Sequence, residues 1–438
     1  MDDILLLYLA QERDVRLPAF MKCSLPFSAV NPYTPFQAGD VPPEMFFGRD
    51  FMVRELLRSQ GSSLVFGGRQ LGKSALLRRV EREFHNPARE QYAHLEDIKL
   101  IGDPLAGQPK EIIWRRLRDA LRDLNLISSR VTTDNPDEIE RYIREAMSQN
   151  PFRRVILLFD EADNFLDADA KGNFQITERL RVLMFDTQRR FKVVFAGLHN
   201  VQRFQGIANQ PLAHFGAPLC VGPLEPDAAY QLVQKPLEYL GCRFADESGP
   251  LRILSYTNYH PGLIQLFCQV LLNTIRSRSR SSYPPYEINQ SDIEAVYRQV
   301  RDRIRERFDW TLALDMRYQA IAWSLIVDQM EMRDSYALAY PPGEILRLVR
   351  EWWPQGFNNV ATEELRSLMD EMVGLGVLVR SSNGQYRLRS PNLVRLMGTE
   401  TDIEQQLLEL VYKQPPVLFE ADYHHAPLDE RAKRYSVL

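Results

Sequence analysis

The sequence predicts an α/β protein: a parallel-sheet core, then an all-helical region, then a body of three helices and a hairpin. In the core, apolar runs typical of strands alternate with helical periodicity up to about residue 221. That alternation is typical of a parallel sheet with helices on both faces. The periodicity then becomes helical from 226 to 308. Near the end, Asn383-Gly384 separates two alternating apolar runs, which is a strong hairpin signal.

The predicted elements follow from apolar spacing. The core strands are expected at 62–66, 92–100, 155–159, 192–198 and 220–221. Helices are expected between them at 75–84, 111–124, 137–147 and 175–190. Further helices are expected at 227–239, 262–276, 291–308, 318–327, 343–353 and 362–373, and hairpin strands at 377–380 and 385–389. Ser291 followed by Glu294 predicts a capping box at one helix start.

These elements divide the chain into five parts. Residues 1–45 are predicted to be an extended arm, because prolines crowd 17–45. The core occupies 46–225, the helical lid 226–308, the three-helix and hairpin body 309–398, and a tail helix with an irregular segment 399–438. Three helices followed by a hairpin predict a winged helix for the fourth part.

Composition excludes several classes of protein. The 438 residues carry 54 basic and 58 acidic side chains, a net charge of −4, so any contact with a polyanion must be local. No apolar run is long enough for a membrane span, and the first residues lack the basic start of a signal peptide. Cys23, Cys220, Cys242 and Cys268 show no metal-binding spacing. A cytoplasmic protein is the default expectation.

One segment has the spacing of a phosphate-binding loop. Residues 67–74 read GGRQLGKS, after an apolar run and before a helical stretch. This fits the pattern G-x-x-x-x-G-K-[ST] in its required strand, loop and helix context. The backbone N–H groups of such a loop point inward at phosphates, and the helix adds its positive end. The predicted nucleotide-binding residues are Gly67, Gly68, Arg69, Gln70, Leu71, Gly72, Lys73, Ser74 and Ala75.

A second segment supplies paired carboxylates. Five apolar residues, 155–159, end in Asp160 and Glu161, which predicts a buried strand with two acids at its carboxyl edge. One carboxylate can assist Mg²⁺, and the next can activate a water. Each segment alone can be explained without a function. The first could be a Gly-rich turn, and the second could be a strand that runs into an acidic loop. Together they predict binding of ATP or ADP with Mg²⁺; a nucleotide held without turnover remains an alternative.

The chain resembles the AAA+ and STAND (signal transduction ATPases with numerous domains) branch of phosphate-loop NTPases over about residues 44–398. Phe46-Phe47-Gly48-Arg49 looks like the family's box before the phosphate loop, which packs near adenine. The stretch at 259–263, YHPGL, looks like the lid motif whose proline contacts the base. His199 and Asn200 fall where the family places its first sensor.

The resemblance implies a role for each matching residue. Lys73 and Ser74 bind phosphate and Mg²⁺, Asp160 assists the metal, and Glu161 orients the attacking water. Asn200 is preferred to His199 as the sensor, since an amide holds a water in any protonation state; either residue could instead cap a helix. Phe47, Gly48, Arg49 and Pro261 are implied adenine contacts, although Pro261 also suits a helix start.

Two departures bear on function. Oligomeric AAA+ motors place an arginine near the last core strand, but residues 213–218 read AHFGAP. Arg189, Arg190 and Arg203 are nearby substitutes. Without a positioned arginine, a slow switch fits better than a fast motor.

The third helix of the predicted winged helix carries Glu363, Glu364, Asp370 and Glu371 against Arg366, which disfavours DNA. Arg380, Arg387 and Arg389 on the hairpin could still touch a nucleic acid backbone. The basic stretch 276–282 is interpreted as a solvated connector, with a nucleic-acid or phosphorylation site as the alternative.

These features favour an ATP-dependent switch that engages a protein partner or an attached effector domain. The alternatives are a DNA-loading ATPase, of the transposition or replication-initiation type, and a nucleotide-bound scaffold without turnover. An oligomer that depends on the nucleotide state is compatible with each. The last residues, 435–438, contain no charged or helix-ending residue, so we also hypothesise that the chain is a fragment of a longer protein.

Overall fold

A computed structural model describes residues 3–11, 20, 31–35, 41–198, 211–278, 285–332 and 339–413. The core is a five-stranded parallel sheet in the order β2-β3-β4-β1-β5. Its strands are β1 Leu64–Phe66, β2 Gln91–Asp97, β3 Arg154–Asp160, β4 Phe191–Gly197 and β5 Leu219–Cys220. The predicted α/β class is confirmed, and β4 separates the acidic strand from the strand that leads into the phosphate loop.

The sheet is buried on both faces because its central strands are apolar at most positions. Along β3, Val155, Leu157 and Phe159 join one hydrophobic cluster. The alternate residues Ile156 and Leu158 join a second cluster on the opposite face. Successive side chains of a strand point to opposite faces, so a continuous apolar run requires helices on both sides.

The helices before the lid are α1 Asp3–Gln11, α2 Asp50–Leu57, α3 Lys73–Phe84, α4 Ile113–Asp123, α5 Pro136–Gln149, α6 Asp163–Ala170 and α7 Gln175–Asp186. The helix at 3–11 corrects the prediction of an extended arm over 1–45. Its apolar run is rich in leucine, a strong helix former, and the prolines begin only at Pro18. Residues 31–35, in contrast, contain no helix or strand and contact the lid.

The lid consists of α8 Pro226–Tyr239, α9 Ser248–Thr257, α10 Pro261–Arg278 and α11 Gln290–Leu312. A short parallel pair, β6 Cys242–Phe244 and β7 Tyr286–Ile288, and helix α9 were not predicted. The predicted capping box at Ser291 and Glu294 is wrong. Asn289 and Asp292 form the box instead, because α11 begins earlier, at Gln290.

The C-terminal body contains α12 Met316–Glu331, α13 Pro342–Trp352, α14 Pro354–Phe357, α15 Thr362–Gly374, α16 Pro391–Leu396 and α17 Glu400–Leu410. The strands β8 Leu378–Arg380 and β9 Tyr386–Leu388 form an antiparallel hairpin. Helix α17 buries Ile403, Leu407 and Leu410 and packs on α12, so this body continues past residue 398. Helix α11 likewise crosses the expected boundary at 308.

The described residues bear on the predictions about membrane spans and cysteines. None of their helices combines the length and apolarity needed to cross a bilayer. Cys220, Cys242 and Cys268 are free thiols, and Cys23 lies outside the described residues.

Candidate functional site

A cleft of about 420 Å³ opens at the carboxyl edge of the sheet, between the core and the lid. Most of the residues predicted from the sequence line it: Phe47, Arg49, Arg69, Gln70, Leu71, Gly72, Lys73, Ser74, Ala75, Glu161 and Pro261. Gly67 and Gly68, the first two residues of the loop, are buried. Parallel strands carry ligand sites at this edge, so the topology and the motifs point to the same place.

The phosphate loop has the backbone that its glycines predict. Gly72 adopts a φ of 101° and immediately precedes Lys73, the first residue of α3. The Lys73 ammonium donates hydrogen bonds to the main-chain oxygens of Gly67 at 2.9 Å and Gly68 at 3.1 Å. Burial lowers the pKa of Lys73 from its ordinary value, while Glu161 and Asp160 act in the opposite direction. An anion in the loop would offer this buried cation a stronger partner than two carbonyls.

The acidic strand end meets the start of α3. Ser74 Oγ donates a hydrogen bond to Asp160 Oδ2 at 2.5 Å, and the Glu161 N–H donates to Asp160 Oδ1 at 3.0 Å. Glu161 adopts a φ of 54°, a left-handed conformation uncommon for glutamate. The hydroxyl and carboxylate oxygens here are hard donors of the kind that Mg²⁺ prefers. The residues present therefore fit the predicted metal.

Asp163 also belongs to this edge, although the sequence analysis did not select it. Both of its carboxylate oxygens accept a hydrogen bond from the Leu198 N–H at 2.9 Å. Burial raises the pKa of Asp163 to about 6. A side chain at Gly197 would collide with this carboxylate. The signal that could have found it is the short spacing Asp-Glu-Ala-Asp at 160–163.

The box before the loop fixes the core to the lid. Gly48 adopts a φ of 72°, and a Cβ placed on it would lie 2.3 Å from Ala228 Cβ in α8. Arg49 donates from its guanidinium to the main-chain oxygen of Gly222, and burial lowers the pKa of Arg49 to about 10. Gly48 and Arg49 thus have structural reasons for their positions, while Phe47 and Phe46 line the cleft.

The lid motif contacts the phosphate loop through a histidine that the sequence analysis left without a role. His260 Nε2 lies 3.3 Å from the main-chain oxygen of Arg69. Its Nδ1 accepts a hydrogen bond from the Leu263 N–H at 3.4 Å. The histidine is therefore neutral, with its proton on Nε2. Burial lowers its pKa to about 4.

The segment at 31–35 adds a wall of the cleft that was not predicted. The Thr34 N–H donates to Gln265 Oε1 at 3.1 Å, and both residues line the cleft. Tyr33 is buried in the lid and donates from its hydroxyl to the Val233 oxygen at 3.0 Å. No motif marks these contacts in the sequence, since they depend on tertiary packing.

Of the other predicted residues, Arg189 and Arg190 do not line the cleft. His199, Asn200 and Arg203 lie outside the described residues. Arg189 donates to the His214 main-chain oxygen at 2.6 Å, and Arg190 donates to that of Met147 at 2.9 Å. These bonds hold both arginines on the core.

The C-terminal body reaches the phosphate loop through the turn that follows α15. A Cβ on Gly68 would lie 3.3 Å from Leu375 Cδ2, and one on Gly376 would lie 2.4 Å from Pro223 Cγ. From the lid, Asn258 Nδ2 donates to the main-chain oxygen of Gly376 at 2.6 Å. The phosphate loop, the lid and the C-terminal body therefore meet around one turn.

The comparison with protein families concerns the central part of the chain. Residues 55–204 match a family model described as AAA domain. The match includes the phosphate loop and the acidic strand. The central part of this chain is thus similar to an AAA domain.

The chain is also similar to solved structures, at low sequence identity and low TM-score. The Orc1 protein of Aeropyrum pernix, solved in complex with DNA, has 14% identity and a TM-score of 0.36, and the match covers 88% of this chain and 96% of that one. The Aeropyrum pernix ORC2 protein, solved as ADPNP-ADP complexes, has 14% identity, a TM-score of 0.46 and coverages of 87% and 98%. RuvB of Thermotoga maritima has 11% identity, a TM-score of 0.37 and coverages of 78% and 92%. No curated protein matches the chain.

Proposed function

We propose that this protein is an ATP-binding and ATP-hydrolysing switch of the AAA+/STAND type. It couples its nucleotide state to a domain rearrangement and to engagement of a protein partner or attached effector domain. The observation that carries the proposal is the turn at 374–376, which packs against the phosphate loop, the end of β5 and the lid motif together.

The cleft residues take the following roles in this proposal. Lys73 and the loop N–H groups hold the phosphates of ATP or ADP, and Ser74 with Asp160 holds Mg²⁺. Glu161 orients the attacking water, with the sensor role proposed for Asn200. Phe47 and Pro261 contact the adenine, since both line the cleft, as do the apolar residues Leu224 and Leu232.

The C-terminal body is the moving part of the proposed switch, and we assign it a winged-helix fold. The assignment rests on α12, α13 and α15, the β8–β9 hairpin, and a bridge that pairs Tyr340 with Tyr386. Its hairpin faces the lid: the Arg389 guanidinium lies 5.6 Å from the Tyr259 ring centroid. A change in the phosphate loop or lid would therefore alter the docking of this body.

The experiment compares nucleotide binding and phosphate release in three variants. Lys73→Ala is expected to abolish ATP binding in calorimetry, because it removes the buried cation of the loop. Glu161→Gln is expected to retain ATP and to lose phosphate release. The exposed Glu138→Gln is the matched control and should match the wild type.

The outcomes separate the candidates. Tight ATP binding by Lys73→Ala would contradict the proposed site. Phosphate release that disappears in Glu161→Gln would exclude the nucleotide-bound scaffold. Hydrogen exchange of residues 374–376 should differ between ADP and ATP, and identical exchange would contradict the switch.

A second candidate is an ATPase that loads onto DNA, and a basic patch favours it. Arg298 and Arg301 are exposed on α11, Arg305 lies one turn further, and Arg395 is exposed on α16. The Arg301 guanidinium donates to the Arg395 main-chain oxygen at 3.4 Å, which brings the two helices together. Clustered arginines on one face can contact a phosphate backbone.

The acidic third helix is a weaker argument against DNA than its sequence indicates. Glu371 is buried and accepts a hydrogen bond from the Tyr318 hydroxyl. Asp370 accepts one from the Tyr386 hydroxyl at 2.7 Å. Two of the four carboxylates are thus bound within the body.

Salt dependence tests this second candidate. If the patch binds DNA, affinity for a duplex should fall steeply with salt, and Arg298→Glu with Arg301→Glu should reduce the slope by about 2, one for each lost phosphate contact. The exposed pair Arg89→Glu and Arg130→Glu is the charge-matched control. Equal binding by the two double variants would exclude the patch.

A further inference from the structure

Lys99 lies at the catalytic edge of the cleft, although no motif includes it. Strand β2 ends at Asp97, which is paired with Asp160 in the adjacent parallel strand. The Ile98 N–H continues this pairing by donating to the Asp160 oxygen at 3.0 Å. Glu161 directly follows Asp160, and Lys99 lies two residues after Asp97. The two residues therefore leave neighbouring strands, whose spacing is about 5 Å. Both side chains line the cleft, with Lys73 and Ser74.

The backbone of Lys99 is held on both sides. Its N–H donates to Asp97 Oδ1 at 2.9 Å. Its carbonyl oxygen accepts a hydrogen bond from Asn164 Nδ2 at 2.7 Å. Asn164 belongs to α6, the helix that follows the acidic pair, so Lys99 is tied to the segment that carries Glu161.

The other basic residues that line the cleft do not come from the β2 side of the sheet. Arg49, Arg69, Lys73 and Lys99 are the basic residues that line it among the described parts of the chain. Arg49 is bound to the Gly222 oxygen, and Lys73 to the loop carbonyls. Arg69 and Lys73 both belong to the phosphate loop. Lys99 alone of the four comes from the β2 side, where Glu161 lies, and its side chain is exposed.

The negative charge that develops on the phosphate during hydrolysis needs a cation on the side of the cleft where Glu161 lies. A terminal phosphoryl group spreads negative charge over its outer oxygens in the transition state, and positioned cations contribute much of the catalysis. The stretch 213–218 contains no arginine, Arg189 and Arg190 are bound to the core, and Arg203 lies outside the described residues. A lysine of the same chain beside Glu161 meets this need without a neighbouring subunit.

We propose that Lys99 contacts the terminal phosphate of the bound nucleoside triphosphate and is a catalytic residue. The inference rests on the proposed function. As the water oxygen bonds to the terminal phosphorus, the bond to the bridging oxygen breaks and its electron pair stays on the diphosphate. The water proton passes to Glu161. Lys99 stays protonated throughout and offsets the charge on the outer phosphate oxygens.

The test compares a triphosphate with a diphosphate, because only the triphosphate reaches Lys99. Lys99→Met keeps the length of the side chain and removes its charge. Its affinity for a non-hydrolysable ATP analogue is expected to fall about tenfold, equivalent to about 1.4 kcal/mol, while ADP affinity stays within about twofold. We expect kcat to fall by about 10- to 100-fold, with partial rescue in Lys99→Arg. The exposed Lys171→Met is the matched control.

Calorimetry and phosphate release together decide the outcome. Equal effects on the two nucleotides, or no effect on either, would overturn the role of Lys99. A wild type that binds both nucleotides without turnover would contradict the proposed hydrolysis, yet the ratio of the two affinities would still test Lys99. A wild type that binds neither nucleotide would overturn both proposals.

Discussion

Asn258 and Gly376 join the lid to the C-terminal body through a hydrogen bond beside the phosphate loop. Asn258 is 2% exposed, and its Nδ2 lies 2.6 Å from the Gly376 main-chain oxygen. Each partner is close in sequence to a residue at the loop: His260 is bonded to the Arg69 oxygen, and Leu375 packs near Gly68. A change in the conformation of the phosphate loop should therefore affect this hydrogen bond.

Removal of the Asn258 side chain should loosen this junction. Asn258 has a φ of 52°, so glycine is the substitution that removes the amide without backbone strain. Asn258→Gly should lower the free energy of unfolding by about 1–3 kcal/mol, because it leaves the buried Gly376 oxygen without this donor. Chemical denaturation measures this loss, and hydrogen exchange of 374–376 should rise.

Asn125→Gly is the matched control for that variant. Asn125 also has a positive φ, of 57°, but its side chain is exposed. It should leave the exchange of the turn unchanged. Equal destabilisation by the two substitutions would show that the Asn258 hydrogen bond contributes nothing.

A methyl group at Gly376 should push the C-terminal body away from the core. Gly376 has a φ of 83°, and its added Cβ would lie 2.4 Å from Pro223 Cγ. Gly384 has a similar φ of 78°, with nothing within 4 Å of its added Cβ. Both alanine variants carry the backbone penalty of about 1–2 kcal/mol, but only Gly376→Ala adds a clash.

The release rate of a fluorescent ADP analogue distinguishes the two glycine variants. Gly376→Ala is expected to release it faster than the wild type, since the turn no longer packs against the loop. Gly384→Ala should release it at the wild-type rate. Identical rates in both variants would show that docking of this body does not affect the nucleotide cleft.

Much of the core was predictable because its signals are local. The run at 155–159 and the spacing of 67–74 each contain their own evidence, and the structure brings Ser74 and Asp160 into contact as the prediction requires. Other features depend on distant residues. Nothing near Thr34 indicates Gln265, and nothing near Asn258 indicates Gly376.

The errors also have local physical causes. Ser291 and Glu294 fit the sequence pattern of a capping box, but the helix begins at Gln290 and its box is formed by Asn289 and Asp292. Glu294 instead accepts hydrogen bonds from Arg252 and Tyr256, both at 2.8 Å. Choice between two competing caps requires the tertiary partners of each side chain.

Lys192 should make the free energy of unfolding depend on pH above neutrality. It is 1% exposed, and its ammonium donates to the main-chain oxygens of Leu56 at 2.9 Å and Arg58 at 2.8 Å. Burial lowers its pKa from 10.5 to about 7. Between these values the unfolded chain binds a proton that the folded chain does not. Its contribution to stability therefore rises with pH, by up to about 1.4 kcal/mol per unit.

Denaturation of the wild type and Lys192→Met at pH 7, 8 and 9 measures this contribution as a difference. The advantage of the wild type over the variant should grow with pH across that range. The exposed Lys171→Met should show no such trend. A difference that stays constant with pH would mean that the folded protein keeps Lys192 charged.

His260 should make the free energy of unfolding depend on pH below neutrality. Its Nδ1 accepts the Leu263 N–H only when the ring is neutral, and its pKa is lowered from 6.5 to about 4. Between these values the unfolded chain is the more protonated one, so the contribution of His260 falls as pH falls from about 6.5 to about 4. Asp163 has the opposite sign, because its raised pKa of about 6 favours the folded state at low pH. Only the difference between the wild type and a His260 variant isolates the histidine.

The advantage of the wild type over His260→Gln should therefore shrink between pH 6.5 and 5, by up to about 1.4 kcal/mol per unit. Denaturation at pH 5, 6 and 7 checks it, with the exposed His214→Gln as control. His260→Gln should also weaken ATP and ADP binding together, because the Arg69 carbonyl that it holds belongs to the loop that binds both nucleotides. An unchanged affinity for both would show that the lid does not position the phosphate loop through this residue.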